Sequence, residues 1–79
     1  MKYDKVLVLA KNKDGEVISA CKFGCHWYFV YESKADGGRI GKHYNLKREI
    51  LADARNFILN GCGYNFKESD LTKTCDEQQ

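Results

Sequence analysis

The stretch from His26 to Leu59 constrains this chain most. It opens on HWYFVY, the densest apolar and aromatic run, in which Trp27, Phe29 and Tyr31 alternate with Tyr28 and Val30. A period of two sends alternate side chains to opposite faces of a strand. The run is followed by a glycine-bearing turn (KADGG), a short basic segment (RIGKHY) and then NLKREILADARNFIL. In that last segment Leu46, Ile50, Ala54, Phe57 and Ile58 recur at helical spacing, and Leu51 widens the stripe. The order strand, turn, strand, helix implies a small sheet with one helix laid across it.

The flanking residues extend this pattern. Lys5 to Lys11 (KVLVLAK) is a short continuous apolar run and reads as a strand covered on both faces. Asn12 to Gly15 (NKDG) has tight-turn chemistry, because Asn and Asp bond back to their own backbone and Gly accepts positive φ. Glu16 to Lys22 returns as a second strand, with Val17, Ser19 and Cys21 on one face and Ile18 and Ala20 on the other. Phe23-Gly24 marks the next reversal. The third strand is expected from about Cys25 to Glu32, a loop over Ser33 to Gly38, and a weaker fourth strand over Arg39 to Tyr44 anchored by Ile40. Asn45 is the expected N-cap of a helix from Leu46 to about Leu59, stopped by Asn60-Gly61. Gly63 to Phe66 is read as a short edge strand or a tethered loop. The fold class is therefore α+β: a small antiparallel sheet of three or four strands, with the helix packed on one face.

A chain of 79 residues bounds this to one domain, 1–79, with one small core. Residues 67–79 hold two basic and four acidic side chains and are expected to form a partly flexible acidic tail. No apolar run approaches the length of about 20 residues that crosses a bilayer. The start MKYDKVLVLA lacks a long apolar region and a cleavage site, so the expected location is cytoplasmic with no membrane partner.

The four cysteines, Cys21, Cys25, Cys62 and Cys75, are then expected to be reduced thiols. Cys21, Cys25 and His26, with Cys62 or His43, contain enough donors for a tetrahedral zinc set. The spacing lacks the two tight pairs usual in structural zinc sites, so neither metal nor cofactor is expected. Catalysis is not expected either. No P-loop, GxGxxG or nucleophile signature is present. Cys25 and His26, adjacent on a strand, would point to opposite faces.

Two features break local expectation. From Arg39 to Arg48 there are four basic residues, one histidine and no acid. Lys47 and Arg48 thus fall in the first helical turn, where unpaired amides already carry partial positive charge and acids are favoured. Such a junction attracts phosphate or carboxylate groups, unless Glu49 or an acid elsewhere in the fold compensates. The second feature is the aromatic content of the third strand. Trp27 and Phe29 read as core under the helix; Tyr28, Tyr31 and Tyr44 read as surface aromatics of the kind enriched at interfaces. Their hydroxyls reaching water is the plainer alternative. The expected partner-binding set is Tyr28, Tyr31, Arg39, Lys42, His43, Tyr44, Lys47 and Arg48.

The segment WYFVY, KADGGR, RIGKHY, LKREILADARNFI resembles, in layout, the three-stranded sheet plus helix of tyrosine-integrase arm-binding domains and plant AP2 domains. Over the whole chain, size and style resemble small phage-encoded inhibitors such as anti-CRISPR proteins. The second resemblance implies a non-enzymatic protein that blocks a host protein or nucleoprotein complex; an apolar sheet face would allow a homodimer as well as a monomer. The first implies a small DNA-binding domain using the basic junction. The net charge of +2 is too small to imply nucleic acid by itself, and the acidic tail weighs toward the protein-binding reading.

Overall fold

The computed structural model describes residues 2–35, 37–61 and 66–76. Four strands, β1 (Lys5–Lys11), β2 (Val17–Phe23), β3 (His26–Ser33) and β4 (Gly37–Tyr44), form one antiparallel meander in the order β1-β2-β3-β4. Helix α1 (Lys47–Asn56) runs on into a π-helical turn over Phe57–Gly61. A 3-10 turn (Glu68–Asp70) and a single helical turn, α2 (Lys73–Asp76), close the described chain. The architecture is the expected α+β sheet with one helix on one face.

The turns form for the reasons their sequences give. Asn12 Oδ1 accepts from the amides of Asp14 and Glu16, and Gly15 takes φ +85°. Between β2 and β3 the two-residue turn is Gly24-Cys25. Gly24 has φ +64° and Cys25 does not have positive φ, the pattern of a type II′ hairpin turn.

The core lies between α1 and one face of the sheet. Ile18 and Ala20 on β2 and Trp27, Phe29 and Tyr31 on β3 meet Ile50, Leu51, Ala54 and Ile58. Phe29 is its centre: its ring stacks on Phe57, centroids 4.2 Å apart, and stands edge-on to Tyr44 at 5.4 Å. Gly41 makes room for that stack, since a Cβ there would meet the Phe57 ring at 3.5 Å and Phe29 Cβ at 3.6 Å.

β1 departs from the reading as a strand covered on both faces. A bulge between Val8 and Ala10 lets the consecutive residues Leu9 and Ala10 both reach zero exposure. Val6 and Val8 instead stay 55% and 39% exposed on the far face, because no element among the described residues covers it.

Within the expected acidic tail, residues 67–76 make specific contacts with β1 and α1. The Thr72 amide donates to the Leu9 carbonyl, its hydroxyl donates to the Val8 carbonyl, and Leu71 bridges to Ala10. Phe66 is buried at the start of this strap, and Glu68 pairs with Arg55 of α1. The edge of β1 is thus occupied from Val8 to Ala10, which blunts strand pairing there. The edge strand expected over Gly63 to Phe66 lies outside the described residues, Phe66 excepted, as do residues 77–79.

At the helix start the N-cap is Leu46, not Asn45. Glu49 reaches back to accept from the Leu46 amide at 3.0 Å, which is half of a capping box. Asn45 is engaged elsewhere, its Oδ1 lying 3.1 Å from His26 Nδ1.

Candidate functional site

Strand alternation and register decide what the uncovered face of the sheet presents. Because Trp27, Phe29 and Tyr31 point to the helix, His26, Tyr28, Val30 and Glu32 point away. Cross-strand pairing extends them into rows: Phe23 with His26; Val6, Cys21, Tyr28 and His43; Val8, Ser19, Val30 and Ile40. The small residues Cys21, Ser19 and Val30 are buried at the floor. The larger ones stand around them, with Phe23 48% and Ile40 52% exposed beside Val6 and Val8. Toward β1 the face dips into a shallow depression of about 340 Å³ between Val6, Val8, Val17 and Glu32. Exposed large apolar side chains from β1, β2 and β4 thus share this face, and surfaces of that kind serve as interaction sites when they are contiguous.

Seven of the eight residues expected at the site separate into three groups, and Arg39 stands apart. Tyr28 and His43 lie on this face, with ring centroids 5.8 Å apart. Lys42, Lys47 and Arg48 are exposed, and neither Lys47 nor Arg48 forms an ion pair among the described residues. Lys42 sits 5.3 Å over the Tyr44 ring. Glu49 supplies a carboxylate at the same helix end, so the field there is partly compensated.

Tyr31 and Tyr44 are corrections. Tyr31 is 7% exposed, and its hydroxyl donates to Glu16, whose carboxyl is held below its ordinary range by that bond and then by Asn12. Tyr44 faces the helix, packs against the core and donates to Asp53. Burial first, then the Asp53 bond and charge, raise its pKa. The pleat turns both to the covered side, where Tyr31 is buried and Tyr44 half-buried. Arg39 lies on β4 opposite Tyr31; its side chain is outside the described residues.

Sequence reasoning missed Val6, Val8, Phe23 and Ile40 as surface candidates. The signal was available in part: an edge strand of a sheet with a single helix has one face with nothing to cover it. It also missed the approach of two histidines 17 residues apart. His26 Nδ1 and His43 Nε2 are 3.1 Å apart and their ring centroids 4.5 Å apart. Only the β3–β4 register, with Tyr28 opposite His43, brings them together.

The two described thiols differ. Cys21 is 1% exposed, and burial, then the Glu32 charge, push it up to about 11. Cys25 is exposed in the turn. Peptide mapping after a short iodoacetamide pulse on native protein should find Cys25 alkylated and Cys21 intact until denaturant is added. Equal labelling of both would mean that the sheet face opens.

Among the described residues no helix is long and apolar enough to cross a membrane. Comparison with protein-family models, curated proteins and solved structures gives no match to the chain.

Proposed function

We propose that the chain is a non-enzymatic binding protein, of the kind encoded by phages or mobile elements, that docks on a host protein or nucleoprotein complex and blocks it. The observation that carries this reading is the placement of Val6, Val8, Phe23 and Ile40, all large, apolar and exposed, on the one sheet face the helix leaves bare. Lys42, Lys47 and Arg48 at the neighbouring strand-helix junction would steer an acidic partner, and the apolar face with Tyr28 would supply the buried contact area.

Two variant pairs test it, using capture of a co-purifying protein that is then identified and titrated. Val8→Asp with Ile40→Asp should leave the fold intact by circular dichroism and weaken capture at least tenfold, about 1.4 kcal/mol. Lys47→Glu with Arg48→Glu should also weaken it, with stability nearly unchanged because both side chains are exposed. Undiminished capture by both folded pairs would remove the reading. Duplex binding that falls steeply with salt, and is lost in the junction pair but kept in the face pair, would move the assignment to nucleic acid.

A further inference from the structure

We propose that His26, His43 and Asn45 form a binding site for a divalent late transition-metal ion at the open end of the β3–β4 hairpin. The site is independent of whether the sheet face binds a partner.

The donors come from two stretches, His26 and His43 to Asn45, that the chain separates and the register reunites. His26 opens β3, His43 sits one residue before the end of β4, and Asn45 follows that strand. With Tyr28 opposite His43, His26 lies diagonal to His43 on the same face, within reach of a long side chain. His26 Nδ1 then has His43 Nε2 at 3.1 Å and Asn45 Oδ1 at 3.1 Å.

Direct hydrogen bonding satisfies this trio poorly. A neutral imidazole has one N–H donor and one lone pair. If Nδ1 of His26 carries the hydrogen, two acceptors compete for it. If Nε2 of His43 donates to Nδ1 instead, the Nδ1 lone pair faces the Asn45 oxygen. Turning the amide over relieves that contact but leaves the oxygen without this partner. A cation accepts all three lone pairs at once.

The geometry suits such an ion. Metal–nitrogen distances are about 2.0–2.1 Å. Two nitrogens 3.1 Å apart then subtend roughly 95–100° at the metal. That angle is close to two adjacent positions of a square-planar or octahedral ion, and a small widening reaches the tetrahedral value. Imidazole with an amide oxygen suits Cu²⁺, Ni²⁺ and Zn²⁺ rather than Mg²⁺ or Ca²⁺. The donor end is exposed, so water can complete the shell. The scaffold also holds the donors in place: β3 is paired on both sides, and the His43 ring lies against Tyr28. The Lys42 ammonium sits over the Tyr44 ring, on the helix side of the sheet.

The test is a Ni²⁺ titration of the full chain followed by calorimetry, with paramagnetic broadening of assigned NMR signals to locate the ion. Cys25→Ser serves as the background, because an exposed thiol beside His26 is the obvious competing ligand. One ion per chain is expected, with the His26 and His43 ring signals and the Asn45 amide broadened first. His26→Ala and His43→Ala should each weaken binding at least tenfold. No saturable binding, binding by either alanine variant as tight as by the Cys25→Ser background, or broadening centred away from the hairpin end would overturn the proposal. Should an alanine variant fail to fold, the broadening map of the Cys25→Ser background alone decides between these outcomes.

Discussion

Phe29→Ala is expected to cost about 3–5 kcal/mol, the range for removing a buried aromatic ring. For 79 residues the whole stability is about 4–12 kcal/mol, at 0.05–0.15 per residue. One truncation therefore removes a large share of it and leaves a population of unfolded chain at ambient temperature. The magnitude follows from the surroundings of the ring. Phe29 is 1% exposed, stacks on Phe57 and stands edge-on to Tyr44, so three aromatic side chains lose their contact surface together. Collapse into the hole is limited, because β3 is fixed by hydrogen bonds to β2 and β4. Tyr28→Ala, one residue away on the opposite face, should cost about 1 kcal/mol, as for a half-buried side chain outside the core. Urea unfolding of the two variants measures both. A Phe29→Ala loss near that of Tyr28→Ala would mean that the helix does not cover the Phe29 side of the sheet.

The second large effect is a loss of stability in alkali. The Cys21 thiol titrates at about 11 in the folded chain, against an ordinary value of 9.0, because burial disfavours the thiolate. The folded state therefore holds this proton more tightly than the unfolded state does. The stabilisation is fully present below pH 9 and is lost as pH rises through about 11. A shift of this size amounts to roughly 2–3 kcal/mol at 1.36 kcal/mol per pH unit. Tyr44 adds a loss of the same sign at still higher pH, since burial and Asp53 raise it as well. Urea midpoints recorded from pH 8 to 11 for the parent chain and for Cys21→Ala isolate the thiol. The parent should lose more stability than the variant across that interval. Superimposable profiles would show that Cys21 is not sealed beneath Val6 and Tyr28.

Much of the fold was legible in the residues. Val30 and Tyr28 alternating with Trp27, Phe29 and Tyr31 placed β3, and the Ile50, Ala54, Ile58 stripe placed α1. Asn12 and Gly15 placed the first turn within a residue. These features are local: each depends on a backbone period or on a side chain bonding to its own backbone. The sequence shows Glu49 only as a charge that could offset the basic junction; its bond to the Leu46 amide came from the structure, and the reading of Asn45 as the cap failed. An N-cap preference is worth only about 1 kcal/mol, and a contact from another strand displaces it.

The candidate site was legible only in part. The sequence determined that aromatic and basic residues concentrate between Tyr28 and Arg48, and that one helix leaves one sheet face uncovered. Which tyrosine lies on which side was decided by the pleat and by what α1 covers. Tyr31 and Tyr44 went to the core side and Tyr28 to the open one. The bulge between Val8 and Ala10 and the strap over residues 66–76 also came from tertiary structure, because each needs an edge that exists only once β1 has paired. So did the approach of His26 to His43 across 17 residues. No periodicity within either segment encodes it, since a cross-strand distance is set by register, and register is fixed by the packing of all four strands at once.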